Sequence, residues 1–520
     1  MPVTVSYPGV YIEEIPSAVH TITGVATSIA AFIGWAPKGP TDQAALVQSW
    51  TEFQNQFGGL DSRSYLGYAV NQFFANGGQQ AYIVRIVWDG TLTAASGTPT
   101  AAATAAGTVG GTLSLFARNP GLWGGNLQVV ATLQTGNPSR FSLQVQDKTT
   151  GQVLENFSNL STTSTDPQYV VTVIDNDSAY ITFINPASGT FTAPSGTPTA
   201  ATVALSGGAD GSTLTPGDQN FEVALGSDPT ASNDYGLHLL DRVDLFNLLC
   251  VPGETDAPTL QHLQTYCRSK RAFSIVDCPR TATIAGLTGT GPVGTGSGSL
   301  TGDDAINSAY YFPWVQAPDP LFGNRPTLFP PCGFVAGIYA RTDSERGVWK
   351  APAGIDASLS GLNGLQYTLT DPENGNLNVQ AVNCLRQFKV YGDVVWGART
   401  LRGNDQVGSE WKYVPIRRLA LFLESSLYAG TQWVVFEPND EPLWSQIRLN
   451  VGAFMQSLFL QGAFQGTTPQ QAYFVKCDAE VNPQSSIDRG IVNILVGFAP
   501  LFPAEFVVIQ IQQMAGQAQA

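Results

Sequence analysis

Two blocks of this chain alternate short apolar runs with helix-patterned stretches, and a tract of different character separates them. In the first block TSIAAFIGWAPKG (Thr27–Gly39) is an apolar run closed by a turn, and QAYIVRIV (Gln80–Val87) reads as a strand. Between them SWTEFQNQFGG (Ser49–Gly59) sets serine before and glycine after a helical pattern. In the second block DLFNLLCVPG (Asp244–Gly253), APTLQHLQTYCRSK (Ala257–Lys270) and AFSIVDCP (Ala272–Pro279) read as strand, helix and strand. Such a pattern folds as an α/β sheet whose parallel strands are joined by right-handed crossovers.

The separating tract is bracketed by a repeated phrase. SGTPTAA occurs at Ser96–Ala102 and again at Ser195–Ala201, each time in a Thr/Ala/Gly-rich stretch that can bury little. Between the copies, FSLQVQD (Phe141–Asp147), YVVTVID (Tyr169–Asp175) and AYITFIN (Ala179–Asn185) are read as strands of an all-β insertion, with the repeat marking its boundaries or, alternatively, a relic of local duplication. Residues Gly286–Gly302 form a Gly/Thr/Ser loop, and a helix is expected near Cys332–Thr342.

The last part begins near Asn378. PIRRLALFLESSLYAG (Pro415–Gly430) is an amphipathic helix, TQWVVFE (Thr431–Glu437) a strand, and NDEPLWSQIRLNVGAFMQSLFLQG (Asn439–Gly462) a helix capped by Asn and Asp with Pro442 in its first turn. Two closing strands are expected, GIVNILVGFAP (Gly490–Pro500) and EFVVIQIQQ (Glu505–Gln513). The second has nothing after it to pair with, and VTVSYPGVYIEEI (Val3–Ile15) looks like an extended arm too short to make a core. The expected division is a 1–20 arm, a core in two parts (21–95 and 207–377), the 96–206 insertion, a 378–504 C-terminal domain and a 505–520 arm.

Composition narrows the function. The 520 residues need several cores, and the 43% hydrophobic share supplies them. Only 12% of residues are charged, about half the usual ~25%, so much of the surface is neutral and suited to large protein contacts. A net charge of -15 with no basic run argues against nucleic acid as partner. Met1–Val10 carries no basic segment followed by an apolar stretch, so synthesis in the cytoplasm without a signal peptide is expected. The apolar window Ile491–Ile511 is broken by Asn493, Pro500, Pro503 and Glu505, which favours two buried strands over a membrane span.

Catalytic signals are sparse. The histidines are His20, His238 and His262, and His262 has no partner at helical spacing for a metal, so no cofactor is expected. The cysteines Cys250, Cys267, Cys278, Cys332, Cys384 and Cys477 form no C-x-x-C pair and read as reduced core thiols. GTGPVG (Gly289–Gly294) satisfies a dinucleotide fingerprint literally but lacks a strand before it and a helix after it. Glu13/Glu14 and Asp440/Glu441 read as solvated charge and helix-dipole partners. An α/β hydrolase with a β accessory domain is the competing reading, weakened by the lack of any G-x-S-x-G elbow. A β-rich adhesin fits neither the missing export signal nor the α/β blocks.

Several phrases in order resemble the phage tail sheath family: SYPGVYIEE (Ser6–Glu14), GWAPKGP (Gly34–Pro40), FFANGGQQAYIVRI (Phe73–Ile86), NPGLWGGNL (Asn119–Leu127), GVWKAPAG (Gly347–Gly354), WGARTL (Trp396–Leu401), YVPIRRLALFLESSL (Tyr413–Leu427), FEPNDEPLW (Phe436–Trp444) and FVKCD (Phe474–Asp478). The resemblance implies a subtilisin-like α/β core without catalytic residues, the all-β insertion outermost and an α+β C-terminal domain innermost. It also implies a contractile sheath of stacked hexameric rings around an inner tube protein, with baseplate and tail-terminator proteins as further partners, in a phage tail or a phage tail-like particle made in the bacterial cytoplasm. In similar sheaths both terminal arms lend strands to neighbouring subunits. Here those would be Val3, Val5, Tyr7, Val10, Tyr11 and Ile12 at one end and Phe506, Val507, Val508, Ile509 and Ile511 at the other. Strand addition to a neighbour satisfies the backbone groups an orphan strand leaves open. Lys412, Arg417, Arg418 and Arg448 are candidate tube-facing cations, with ordinary solvated helix charge an equal alternative.

Overall fold

The computed structural model describes residues 20–88, 90, 102–186, 188–227, 234–295 and 299–510. The described chain divides into two compact units: residues 27–345 with 351–414, and residues up to 26 with 346–350 and from 415 onward.

The larger unit opens with β1 (Ala30–Gly34), β2 (Ala45–Val47), α1 (Trp50–Phe57), α2 (Leu66–Ala75) and β3 (Ala81–Arg85). At the start of α1 the Ser49 hydroxyl accepts from the Glu52 amide, and Gly58 at φ 93° ends the helix, the two signals visible in the sequence. The tract between the repeats then gives β4 (Ala106–Val109), β5 (Leu113–Ala117), β6 (Leu127–Gln134), β7 (Asn137–Asp147), β8 (Val153–Leu160), α3 (Val170–Asp177), β9 (Ile181–Thr182) and β10 (Ala201–Ala204). After α4 (Gln219–Leu225) the α/β pattern resumes with β11 (Leu248–Cys250), α5 (Ala257–Lys270), β12 (Phe273–Asp277), α6 (Ile284–Thr290) and β13 (Ser308–Phe312). The unit finishes with β14 (Val315–Asp319), β15 (Arg325–Phe329), α7 (Cys332–Arg346), β16 (Gly364–Leu365), α8 (Asp371–Val379), β17 (Val382–Phe388) and β18 (Gly392–Val395).

Its main sheet has eight strands in the order β18-β17-β13-β12-β11-β1-β3-β2. Parallel pairing runs from β3 through β1, β11, β12 and β13 to β17, and the edge strands β2 and β18 pair antiparallel. Every residue of β1, β12 and β13 is buried, as a sheet covered on both faces requires, which is why these strands read as apolar runs rather than alternations. Helix α5 matches its predicted span, with the Asp256 carboxylate accepting from the Thr259 amide at its start. Residues 382–395, grouped by the sequence with the C-terminal part, lie in this sheet as β17 and β18.

Residues 102–206 make a four-stranded sheet, β10-β6-β7-β8, and a three-stranded one, β4-β5-β9, around their own core of Leu115, Val129, Leu143, Val145 and Ile174. The predicted strand Phe141–Asp147 lies within β7, but YVVTVID is not a strand: Val170–Asp177 is helix α3. Its Val170 and Ile174 are both buried, a helical i,i+4 pair hidden in a β-branched segment, and packing overrides the strand propensity. AYITFIN contributes only Ile181–Thr182 to a strand. The tract is β-rich rather than all-β.

The smaller unit contains α9 (Val414–Gly430), α10 (Glu441–Leu460), α11 (Pro469–Ala472), β19 (Tyr473–Lys476), α12 (Gln484–Ile487) and β20 (Leu495–Phe498). Its core joins Leu419 and Leu423 of α9 to Trp444, Ile447, Val451 and Phe454 of α10, and the Asp440 carboxylate accepts from the Leu443 amide as cap. TQWVVFE is not a strand either. Gln432–Val434 is a 3-10 turn, because the Thr431 amide and hydroxyl both donate to the Leu427 carbonyl, at 3.0 and 2.7 Å, and carry the helical pattern past α9. β20 pairs antiparallel with β19, whereas the described part of EFVVIQIQQ, residues 505–510, belongs to no strand. Among the described residues no helix is long and apolar enough to cross a membrane.

Candidate functional site

The residue types that suggest chemistry serve the fold. His238 Nδ1 lies 2.9 Å from Asp241, whose carboxylate also accepts from Tyr266 Oη at 2.9 Å and pairs with Lys270 Nζ at 2.7 Å. This knot fastens α5 to the 3-10 turn Gly236–Arg242. His20 stacks on Trp433 with ring centroids 4.3 Å apart, and His262 sits part-exposed on α5. All the cysteines are buried and free, and burial pushes the Cys384 thiol up to about 12. Among the described residues no group of three His, Cys, Asp or Glu is placed to hold a metal. The first residues of GTGPVG end helix α6, and Gly291 caps it.

Three of the phrases singled out in the sequence meet at one place in the larger unit. Arg85, 1% exposed at the end of β3, donates from Nε to Ala36 O (2.7 Å), from Nη1 to Gly39 O (2.7 Å), and from Nη2 to Pro120 O (2.9 Å) and Pro37 O (3.3 Å). The guanidinium fork ties the GWAPKGP loop after β1 to the NPGLWGGNL loop of the insertion, using carbonyls rather than a carboxylate. Burial lowers its pKa to about 9, opposed by the charge of Asp210. At Gly121 (φ 134°) a Cβ would stand 2.7 Å from Pro37 O, so only glycine allows this approach. The joined loops wall a groove of about 490 Å³ whose lining includes Lys38, Asn55, Arg118, Asn119, Trp123 and Tyr180.

The predicted cations are divided between the two units. Lys412 lies in the larger unit and pairs with Asp405 at 2.6 Å. Burial pushes the Asp405 carboxyl up, but Lys412 and Arg399 together hold it below the usual range. Arg417 and Arg418 are buried at 7% and 3% exposure, and Arg417 meets Glu424 at 3.3 Å. Arg448 donates to Glu441 and to the Cys477 carbonyl, and its hydrogen bond to Glu441 holds that carboxyl below its ordinary value.

Of the predicted arm residues, Val3, Val5, Tyr7, Val10, Tyr11, Ile12 and Ile511 lie outside the described residues. Phe506, Val507, Val508 and Ile509 are described and lie 74–81% exposed, with Phe502 at 62% beside them. In the same unit the β19–β20 ribbon has no third strand among the described residues, and its Phe474 and Leu495 are about half exposed, at 53% and 50%. A two-stranded ribbon with open edges is marginal by itself, and the apolar run Phe506–Ile509 that follows it is assigned to no strand among the described residues.

Residues 242–401 match the family described as phage tail sheath protein central domain, and residues 406–514 the phage tail sheath C-terminal domain, together more than half of the chain. The tail sheath protein of Vibrio phage KVP40 is 28% identical over 170 residues, 32% of this chain and 24% of that protein. A putative prophage major tail sheath protein of Pseudomonas aeruginosa is 26% identical over 294 residues, 54% of this chain and 69% of that protein. This chain thus matches only about a quarter of the length of the Vibrio phage relative. Among solved structures, the PVC sheath complex of an extracellular contractile injection system, in its contracted state, superposes with TM-score 0.57 at 24% identity, covering 98% of this chain and 99% of that one. The Listeria innocua sheath tail protein Lin1278 gives TM-score 0.60 at 11% identity, covering 92% and 97%. The families matched are those of tail sheath proteins, as the sheath reading expects and the hydrolase reading does not. The phrases quoted from the sequence, the two family matches and the fold agree, and the chain belongs to the phage tail sheath family.

Proposed function

We propose that this chain is the subunit of a contractile sheath in a phage tail or tail-like particle, built as stacked hexameric rings around an inner tube and linked by donated strands. The carrying observation is the apolar run Phe506–Ile509, 74–81% exposed and assigned to no strand, in a unit whose β19–β20 ribbon has no third strand among the described residues. Residues 505–520 of one copy add to a ribbon edge of a neighbour, and the 1–20 arm does the same from the other end. Each backbone hydrogen bond is worth only about 0.5–1.5 kcal/mol net, but a strand makes several. Donor and acceptor are different surfaces, so the contact is heterologous and propagates as a helix.

In this reading the α/β core, which takes in β17 and β18 as well as the parts expected at 21–95 and 207–377, is subtilisin-like and non-catalytic, the 96–206 insertion faces outward, and the C-terminal domain from residue 415 onward lies toward the tube. Firing turns subunits as rigid bodies while the arms keep them tied, relaxing a metastable lattice without fuel. The subunit is made in the bacterial cytoplasm, and baseplate and terminator proteins cap the polymer. Of the cations considered for the tube contact, Lys412 and Arg448 are the two not buried in their own unit.

Negative-stain microscopy of the purified protein, alone and with its tube protein, tests this reading. Striated tubes or stacked rings are expected, and they should vanish when residues 1–16 or 505–520 are removed. Tubes that form equally well without both segments would rule out strand donation, and a protein monomeric under every condition would rule out the main-sheath role.

A further inference from the structure

We propose that the groove pinned by Arg85 receives an extended, carboxylate-bearing segment from a second copy of this chain. Two cations line the groove with no ion-pair partner among the described residues. The Lys38 ammonium is part-buried and makes no hydrogen bond or ion pair with any described residue. Arg118 directs Nη1 to the carbonyls of Asp175 (3.1 Å) and Ser178 (2.8 Å) and pairs with no carboxylate among the described residues. Withdrawing a cation from water without pairing it is unfavourable, and desolvation accordingly lowers the pKa of Lys38. An arriving carboxylate removes that penalty.

Other features of the wall specify an extended chain. Ala45 of β2 lines the groove, and β2 is the outermost strand of the main sheet with no further strand beyond it among the described residues, so an edge strand able to take an added strand contributes to the site. Asn55 and Asn119 add carboxamides able to serve either peptide group, and Trp123 and Tyr180 supply apolar faces. Asp42 also lines the groove and leaves it unsuited to a polyanion such as nucleic acid.

A second copy is the occupant the charges favour. With 40 acidic against 25 basic residues, the charged groups another subunit can present are more often carboxylates than cations. Groove and guest are different surfaces, so the contact extends a polymer rather than closing a dimer. This inference rests on the sheath reading and adds to it a joint separate from the donated arms. It also gives a role to GWAPKGP and NPGLWGGNL, which strand donation leaves unused.

The test compares assembled particles with dissociated subunits. A small amine-acylating ester is applied to both and modification of Lys38 is read by mass spectrometry. In parallel, particles assembled from equal parts of ¹⁵N-labelled and unlabelled protein are treated with a zero-length carbodiimide. Lys38 acylation should fall at least ~5-fold on assembly, and a mixed-isotope peptide should join Lys38 to an Asp or Glu of another copy. K38Q should lose that crosslinked peptide while keeping its urea midpoint. Tubes visible by microscopy in which Lys38 acylates as fast as in free subunits overturn this proposal and leave the sheath reading standing. Failure to form any polymer, with or without tube protein, overturns both.

Discussion

Arg85 illustrates how a single residue can decide a joint. Its fork satisfies four carbonyls on two loops far apart in sequence, and hydrogen bonds from a charged donor are worth about 1.5–3 kcal/mol each. Replacing it with methionine strands those carbonyls, and the larger unit should lose at least ~3 kcal/mol by urea denaturation, with R85K recovering little because one ammonium cannot span the same acceptors. A second prediction concerns the carboxyl ends of the parallel strands. Burial pushes Asp277 up from 3.8 to about 6, although its oxygens accept from the Gly253 and Cys332 amides, and pushes Glu254 up from 4.5 to about 7. Because both folded values are raised, their favourable contribution is complete below the unfolded values and is lost as pH rises through 6 and then 7. The urea midpoint of the larger unit should therefore be higher at pH 5.5 than at pH 8, and a flat or rising profile across that window contradicts the assignment. Carboxyls lowered by ion pairs, such as Asp61, Asp241 and Asp304, act below that window.

Among elements, helix α7 lies against α2 through glycines. A Cβ at Gly333 would stand 2.5 Å from Ala69 O, and one at Gly337 would stand 2.7 Å from Phe73 O. G337A should cost the larger unit about 1–3 kcal/mol, since backbone on the facing helix cannot step aside as a side-chain tip can; a change below about 0.5 kcal/mol in thermal or urea unfolding would contradict that packing. Elements with a cap signal or a clear helical pattern were legible in the sequence: α1 between Ser49 and Gly58, α10 after Asp440, and α5 from its pattern. Those misread were β-branched segments of mixed period. Val170–Asp177 and Thr431–Glu437 fit strands by propensity, but a buried i,i+4 pair and a run-on helical turn decided otherwise. The groove was legible only in pieces, because GWAPKGP, FFANGGQQAYIVRI and NPGLWGGNL come together through main-chain carbonyls, which leave no mark on side-chain spacing.

For the whole molecule, assembly should be separable from folding. Phe506 and Val508 lie 74% and 81% exposed, so F506D with V508D should leave the urea midpoint of the isolated subunit within ~0.5 kcal/mol. The same double variant should abolish sheath tubes in the microscope; tubes of normal length would show that the segment is dispensable. The open β19–β20 ribbon beside that segment also has a consequence for the cell that makes this protein. A subunit waiting for its neighbours carries both an apolar strand-former and an unprotected edge, the combination that seeds disordered β-aggregates. The pool of unassembled subunits therefore has a solubility ceiling, and synthesis outrunning nucleation at the growing end should yield inclusion bodies instead of longer sheaths.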